Sequence, residues 1–112
     1  MLGNHAMALQ PQIIDKAIAA GVTHFYPSEF GSDLSHPTTL KQRYFRDKQI
    51  TRRHLEKVAA AQTHKVFGYT YIVNGGFAEY AAHPVFGFRR EERVFEFWGD
   101  TKKVEPFTGV KE

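Results

Sequence analysis

Two cations and a phenol in one predicted helix are the residues of this chain best suited to chemistry. Tyr44 and Lys48 fit the pattern Tyr-x-x-x-Lys, and residues four apart on a helix are neighbours. An ammonium beside a phenol favours the phenolate. Two common residues at this spacing also recur by chance, so the pattern is weak taken alone. Lys48 and Arg52 say more. At about 100° per residue they fall in the same arc as Tyr44, Phe45, Leu55 and Ala59, the apolar stripe of the helix. A cation there must snorkel, pair or face a cleft. Snorkelling is the plainer reading for a long side chain. A cleft-facing lysine holds a ligand or moves a proton, because its pKa falls when it is desolvated or set near another cation.

Two loops stand where such a helix meets a ligand. Ser28-Glu29-Phe30-Gly31 follows a β-branched and aromatic run, Val22–Tyr26, that Pro27 ends; Asn74-Gly75-Gly76-Phe77 follows a second run, Tyr69–Val73. In parallel α/β sheets ligands bind beyond the carboxyl ends of strands. The plainer reading is that Pro27 and the glycines only shape turns. Other chemistries find no support. The six histidines (5, 24, 36, 54, 64, 83) show no paired metal spacing, so no metal is expected. The absence of cysteine removes disulfide scaffolds and thiolate-ligated zinc or iron–sulfur sites. Gly-x-Gly-x-x-Gly, Walker and Gly-x-Ser-x-Gly patterns do not occur.

The elements that must position these residues follow from periodicity. Ile13, Ile14, Ala17 and Ile18 recur at helical spacing, with Pro11 in the first turn and Gly21 at the stop, which predicts a helix over 10–20. A strand over 22–26, a loop over 28–39 and a helix over 40–61, free of Gly and Pro, come next. A strand over 69–73 and a helical turn over 77–82 follow. Val94–Trp98 and Lys103–Phe107 flank Gly99-Asp100-Thr101 as a hairpin, with Pro106 confining its second arm to an edge. The run Arg89–Arg93 reads as a solvated turn. The fold class is α/β: a parallel sheet with flanking helices and a C-terminal hairpin.

Composition sets the outer limits. With 112 residues the chain is at most one domain and cannot hold a complete dinucleotide enzyme. A hydrophobic share of 42% and an aromatic share of 14% are too rich for a disordered chain. The cations from Lys41 to Lys57 could form an anion-binding face, or simply a solvated one. Aromatics are not interleaved with them as stacking platforms, so nucleic acid is not an expected partner. The most apolar stretch, Val66–Phe88, is broken by Asn74, Glu79 and His83, and the N-terminus lacks a signal-peptide pattern. No membrane partner is expected, and a cysteine-free chain fits the cytoplasm.

At Val22-Thr23-His24-Phe25-Tyr26-Pro27-Ser28-Glu29-Phe30-Gly31 the sequence resembles the V-x-x-F-x-P-S-E-F-G segment of NmrA-like and isoflavone reductase-like proteins. These are atypical short-chain dehydrogenases with an NADP-binding Rossmann fold. Other segments agree in order. Gly3-Asn4-His5 to Ala20 resembles the end of that family's fourth strand and the helix after it. Phe45–Arg53 resembles its lysine helix, and Tyr69–Phe77 the strand ending near the nicotinamide. The tail from Phe97-Trp98-Gly99-Asp100 resembles its G-D-G-x-x-K region.

The resemblance implies that Lys48 acts in proton transfer and contacts the nicotinamide ribose. It implies that Arg52 contacts the cofactor, that Ser28, Glu29, Phe30, Asn74, Gly75, Gly76 and Phe77 line the nicotinamide end, and that Gly3 and Asn4 also bind the cofactor. Tyr44 fits the wider superfamily's Tyr-x-x-x-Lys, although many isoflavone reductase-like members lack a tyrosine there. The family's first strands and glycine-rich phosphate loop have no counterpart, so residues 1–112 are expected to be the central part of one partial Rossmann-like domain, inactive alone.

Its expected function is part of an NAD(P)H-dependent reductase, with NADP(H) as cofactor and a small aromatic or carbonyl-bearing substrate as partner. A non-catalytic NAD(P)-sensing regulator and a basic interaction module acting through Lys41–Lys57 stay open. The strand over 22–26 should also have an open edge that invites self-association.

Overall fold

Pro11 has no N–H to satisfy and sits in the first turn of helix α1 (Gln10–Ala19), where that donor would be unpaired anyway. A 3-10 segment, Asn4–Leu9, leads into it. At its end Gly21 takes φ +87° and donates to the Ile18 carbonyl at 2.9 Å, the left-handed stop that glycine makes cheaply. The computed structural model describes residues 2–61, 67–96, 99, 100, 102, 104 and 107–109. The chain divides into two units, Met1–Val73 and Asn74–Glu112.

In the first unit β1 (His24–Phe25) pairs in parallel with β2 (Gly68–Tyr69), His24 opposite Gly68 and Phe25 opposite Tyr69. Both strands are shorter than the predicted runs over 22–26 and 69–73. Ladder bonds need a partner, and among the described residues β1 has only β2. Among the described residues no strand lies on the other edge of β1. A Cβ on Gly68 would lie 2.9 Å from Nδ1 of the exposed His24, so a larger residue there needs that ring to shift.

The segment predicted as a loop over 28–39 runs into a single turn, α2 (Pro37–Leu40), capped by the His36 ring, which accepts from the Thr38 N–H. The long helix does not begin at Leu40. Gln42 is extended (φ −80°, ψ 122°), a 3-10 turn spans Arg43–Phe45, and α3 runs over Arg46–Ala60.

Ile14 from α1, Leu55 from α3 and Phe67 form the core, with Ile18, Phe25, Val58, Ala59, Tyr69 and Tyr71 packed around them. Ile14 and Leu55 are fully buried, and each contributes about 1.5–3 kcal/mol of hydrophobic stabilisation. β1, α3 and β2 form a β–α–β unit with a parallel pair, so the chain is a mixed α/β fold.

The second unit holds β3 (Gly76–Phe77), α4 (Ala78–Ala81), a 3-10 turn over Pro84–Phe86, β4 (Phe88–Arg89), β5 (Val94–Phe95) and β6 (Phe107–Thr108). The predicted helical turn over 77–82 corresponds to α4. The predicted hairpin is corrected. Val94–Phe95 pairs antiparallel with Phe88–Arg89, and Phe107–Thr108 pairs in parallel with Gly76–Phe77.

The charged run itself makes the hairpin turn, exposed as expected, with Arg93 at φ 54°. Phe88 and Phe95 supply a cross-strand aromatic pair at 6.1 Å, which favours this register. Phe97, Trp98, Thr101, Lys103, Glu105 and Pro106 lie outside the described residues. Among the described residues no helix is long and apolar enough to cross a membrane.

Candidate functional site

A carboxylate that leaves water must be paired, since an isolated buried charge is too costly to keep. Glu29, just beyond β1, is 3% exposed. Its Oε2 accepts from Arg52 Nη2 at 2.7 Å, the two side chains being 2% and 13% exposed. Its backbone carbonyl accepts from Lys48 Nζ. One loop residue thus engages cations from two successive turns of α3, by its side chain and by its main chain. The four-residue spacing puts both on the inward arc, so they pair there rather than snorkel to the surface.

The loop that presents Glu29 is itself anchored. The Ser28 N–H donates to Gln10 Oε1 at 2.7 Å, and Ser28 Oγ accepts from the Leu2 N–H at 2.9 Å. The Glu29 N–H reaches back to the Pro27 carbonyl at 2.8 Å. Phe30 then takes φ +25°, uncommon for a residue with a side chain, and such conformations cost about 1–3 kcal/mol. At Gly31 an added Cβ would meet Glu29 O and Lys48 Nζ at 3.5 Å, ordinary contact, so space does not demand a glycine there.

Burial holds the Lys48 pKa below the ordinary lysine value; Glu29 pulls it back up and Arg52 pushes it further down. Among the described residues no carboxylate pairs with Lys48, because Arg52 has claimed that of Glu29. The Arg52 guanidinium lies over the Tyr71 ring, 4.2 Å from its centroid, a cation–π contact. The Tyr71 hydroxyl is raised above the usual tyrosine range, first by burial and then by the neighbouring Tyr69 and Glu56. Tyr71 Oη and Arg52 Nε are both buried with no hydrogen-bond partner among the described residues. Asp33, exposed further along the loop, is held below the carboxylate range by the Ser35 N–H and hydroxyl, at 2.8 and 2.7 Å.

Of the residues singled out in the sequence, Lys48, Arg52, Ser28, Glu29 and Phe30 belong to this one cluster. Gly3 is exposed, next to the Leu2 main chain that bonds Ser28, and Asn4 opens the 3-10 segment. Tyr44 lies ahead of α3, in the 3-10 turn, and is 73% exposed with its ring edge-on to Phe45. Asn74, Gly75, Gly76 and Phe77 belong to the second unit. There Gly75 takes φ +70° and the Asn74 carbonyl accepts from Thr108 Oγ1 at 2.8 Å. A Cβ on Gly76 would come within 2.7 Å of the half-exposed Phe107 ring, so a larger residue there needs that side chain to shift.

Two members of the cluster were not foreseen. Tyr71 carried a usable signal, because it lies two residues from Tyr69 in a β-rich run, on the same face. Gln10, 2% exposed under the loop, carried none.

Other features of the surface do not converge on a site. Lys41, Arg43, Arg46, Arg53 and Lys57 are all exposed, as a solvated helix face would have them. A broad concavity of about 730 Å³ in the second unit is lined by Ala82, Pro84, Phe88 and the charged turn, but Arg89 there is engaged by Glu92 and Glu96. It is wide open and gathers no buried polar group. The Lys48 cluster, with its buried charges, is the better candidate. Among the described residues no group of three His, Asp or Glu side chains could hold a metal ion.

Comparison with protein-family models, with curated proteins and with solved structures finds no match. What the geometry defines is a class: a mixed α/β chain with a buried two-cation, one-carboxylate cluster at the carboxyl end of a parallel strand. Its donor set suits a hydroxyl or carbonyl oxygen. It suits a dinucleotide only in part, since Arg52 is already paired and no described helix opens with a glycine-rich loop for a pyrophosphate.

Proposed function

We propose that this chain carries the proton-transfer end of an NAD(P)H-dependent reductase of the NmrA-like and isoflavone reductase-like kind, acting on a small aromatic or carbonyl-bearing molecule. The observation that supports it most is Lys48, half-buried, held on the Glu29 carbonyl and left without a carboxylate partner among the described residues. Such an ammonium gives up its proton more readily than a surface lysine.

NADP(H), when bound, would supply the hydride. Lys48 and the Ser28–Phe30 loop would hold its nicotinamide-ribose end. The Lys48 ammonium donates a proton to the carbonyl oxygen as negative charge develops there. The resulting neutral amine keeps its hydrogen bond to the Glu29 carbonyl, so the group does not swing away between turnovers. Arg52, one turn on, is paired with the Glu29 carboxylate and keeps that carboxylate from neutralising Lys48.

The test is oxidation of NADPH with small aromatic aldehydes and ketones, by protein expressed from the complete coding region. Turnover should be seen and should fall by about 10²–10⁴-fold in Lys48→Ala, the usual worth of a positioned proton donor. Cofactor binding with no turnover on any carbonyl would replace this reading with a nucleotide-sensing one. Turnover that survives Lys48→Ala would remove Lys48 from the chemistry.

A further inference from the structure

The buried pair invites the assumption that Arg52 and Glu29 touch a ligand. The contacts say otherwise. Arg52 Nη2 is bonded to Glu29, and its guanidinium plane lies on Tyr71. Glu29 directs its carboxylate at Arg52 and its carbonyl at Lys48. Glu29 Oε2 and Arg52 Nη2 are committed to each other, Arg52 Nε has no hydrogen-bond partner among the described residues, and the pair bears on Lys48.

We infer that Glu29 and Arg52 are positioning residues for Lys48: Arg52 draws off the carboxylate that would otherwise neutralise Lys48, and the Glu29 carbonyl fixes the ammonium where it can gain and lose its proton. A lysine bonded to a carboxylate is a structural ion. A lysine on a neutral carbonyl, with an arginine one turn away, is a group ready to titrate.

The charged neighbours sort the same way. On α3, Asp47 pairs with Arg46 at 3.0 Å and His54 with Asp15 of α1 at 2.6 Å. Glu56 acts on Tyr71, and Asp33, in the loop, is held by Ser35. That leaves Glu29 and Arg52 as the charges that act on Lys48, one raising and one lowering its affinity for a proton. The left-handed Phe30 adds a local reason to expect function here, because such strain persists where its surroundings over-determine it.

This deepens the proposed role of Lys48, yet its test needs no turnover. In the 112-residue chain carrying 13C-labelled lysine, the Lys48 methylene beside Nζ reports the titration directly, and Lys48→Arg identifies its signal. Glu29→Gln keeps an acceptor for Arg52 and the carbonyl for Lys48 but removes the counter-charge, so Lys48 should titrate at lower pH than in the parent chain. Adding Arg52→Met removes the repelling cation, and the titration should move back up relative to Glu29→Gln alone.

The inference fails if Glu29→Gln leaves the Lys48 titration where it was, or if the double variant stays where Glu29→Gln put it. Should Glu29→Gln not fold, the double variant, in which neither partner is a charge, is compared with the parent chain. A titration below the parent's supports the inference, and an unchanged one ends it. Loss of fold in both variants would make the pair a structural clamp and overturn the assignment. A chain that passes this test yet never reduces a carbonyl would retain the positioning device and lose only the reductase reading.

Discussion

Among the described residues the first unit alone buries an ion pair and large apolar side chains completely, while both units also expose apolar residues. In Met1–Val73 an ion pair is buried beside a core, with Glu29, Thr51, Ile14, Leu34 and Leu55 all at 3% exposure or less. In Asn74–Glu112 the ion pairs Arg89–Glu92 and Arg89–Glu96 have side chains 46–61% exposed, and Val85, Phe86, Val94, Phe95 and Phe107 are each at least 42% exposed. The second unit has two-residue strands and a four-residue helix, too little to bury a large side chain completely. The strength of a contact is set by what surrounds it. The Arg52–Glu29 and Arg89–Glu96 salt bridges, at 2.7 and 2.6 Å, have nearly the same length and should differ widely in worth.

That contrast is broken most directly by deleting the arginines. Arg52→Ala breaks a buried ion pair and leaves Glu29 only the half-buried Lys48 as a counter-charge, and should cost about 3 kcal/mol, the low end of what breaking a buried pair costs. Arg89→Ala removes two exposed pairs and should leave the urea midpoint unchanged. Equal midpoints for the two variants would mean that burial does not separate the units.

The same contrast marks what could be read in advance. Helix α1 was legible because Pro11 and Gly21 act locally, each through its own backbone preference. The start of α3 was not, because the break at Gln42 involves neither Gly nor Pro and is an ordinary extended residue between two turns. Strand ends depended on a partner no local rule supplies, so β1 was expected over 22–26 and pairs only over His24–Phe25. The misplaced hairpin has the same cause. Gly99-Asp100 is a good turn in isolation, and the Phe88–Phe95 pair across the charged run prevails over it.

In the site, a cation in an apolar stripe pointed correctly to Lys48 and Arg52 facing inward. That Glu29 would take one by its side chain and the other by its main chain is a tertiary fact. Spacing along the chain could not show it.

A smaller effect sharpens the comparison through pH. The Tyr71 pKa is raised, so its share of stability is intact below the ordinary tyrosine value of 10.0 and is lost as pH rises through the folded-state value. The Lys48 pKa is lowered, so its burial penalty is relieved as pH rises from its folded value towards 10.5. The signs are opposite. Tyr71→Phe removes the tyrosine trend and leaves the opposing Lys48 one, so urea midpoints taken from pH 8 to 11 should fall less steeply at the alkaline end than in the parent chain. At neutral pH the same substitution deletes a buried hydroxyl that has no partner, and stability should rise by up to about 1 kcal/mol. An alkaline limb identical to the parent's would mean that this phenol does not couple to folding.

The smallest expected effect uses two glycines with almost the same backbone. Gly21 closes α1 at φ +87° with nothing within 4 Å of an added Cβ, and Gly87 precedes β4 at φ +89° with the Glu96 carbonyl oxygen 2.1 Å from one. Alanine at 21 meets only the left-handed penalty, about 1 kcal/mol. Alanine at 87 meets that penalty and must also displace the carbonyl of Glu96, whose N–H donates to the Gly87 carbonyl at 2.9 Å. Local strain alone therefore ranks Gly87→Ala as the worse change. For the Ile14–Leu55–Phe67 core the expected ranking is the reverse, because Gly21 closes the helix that supplies Ile14, and the side chains packed on that core belong to the first unit. Amide exchange should show Gly87→Ala speeding exchange at Glu96 while leaving Leu55 as it was, and Gly21→Ala speeding Leu55 by about five-fold, the factor that 1 kcal/mol implies. If Gly87→Ala accelerates Leu55 as much as Gly21→Ala does, the two regions unfold as one and the contrast between them is only one of surface.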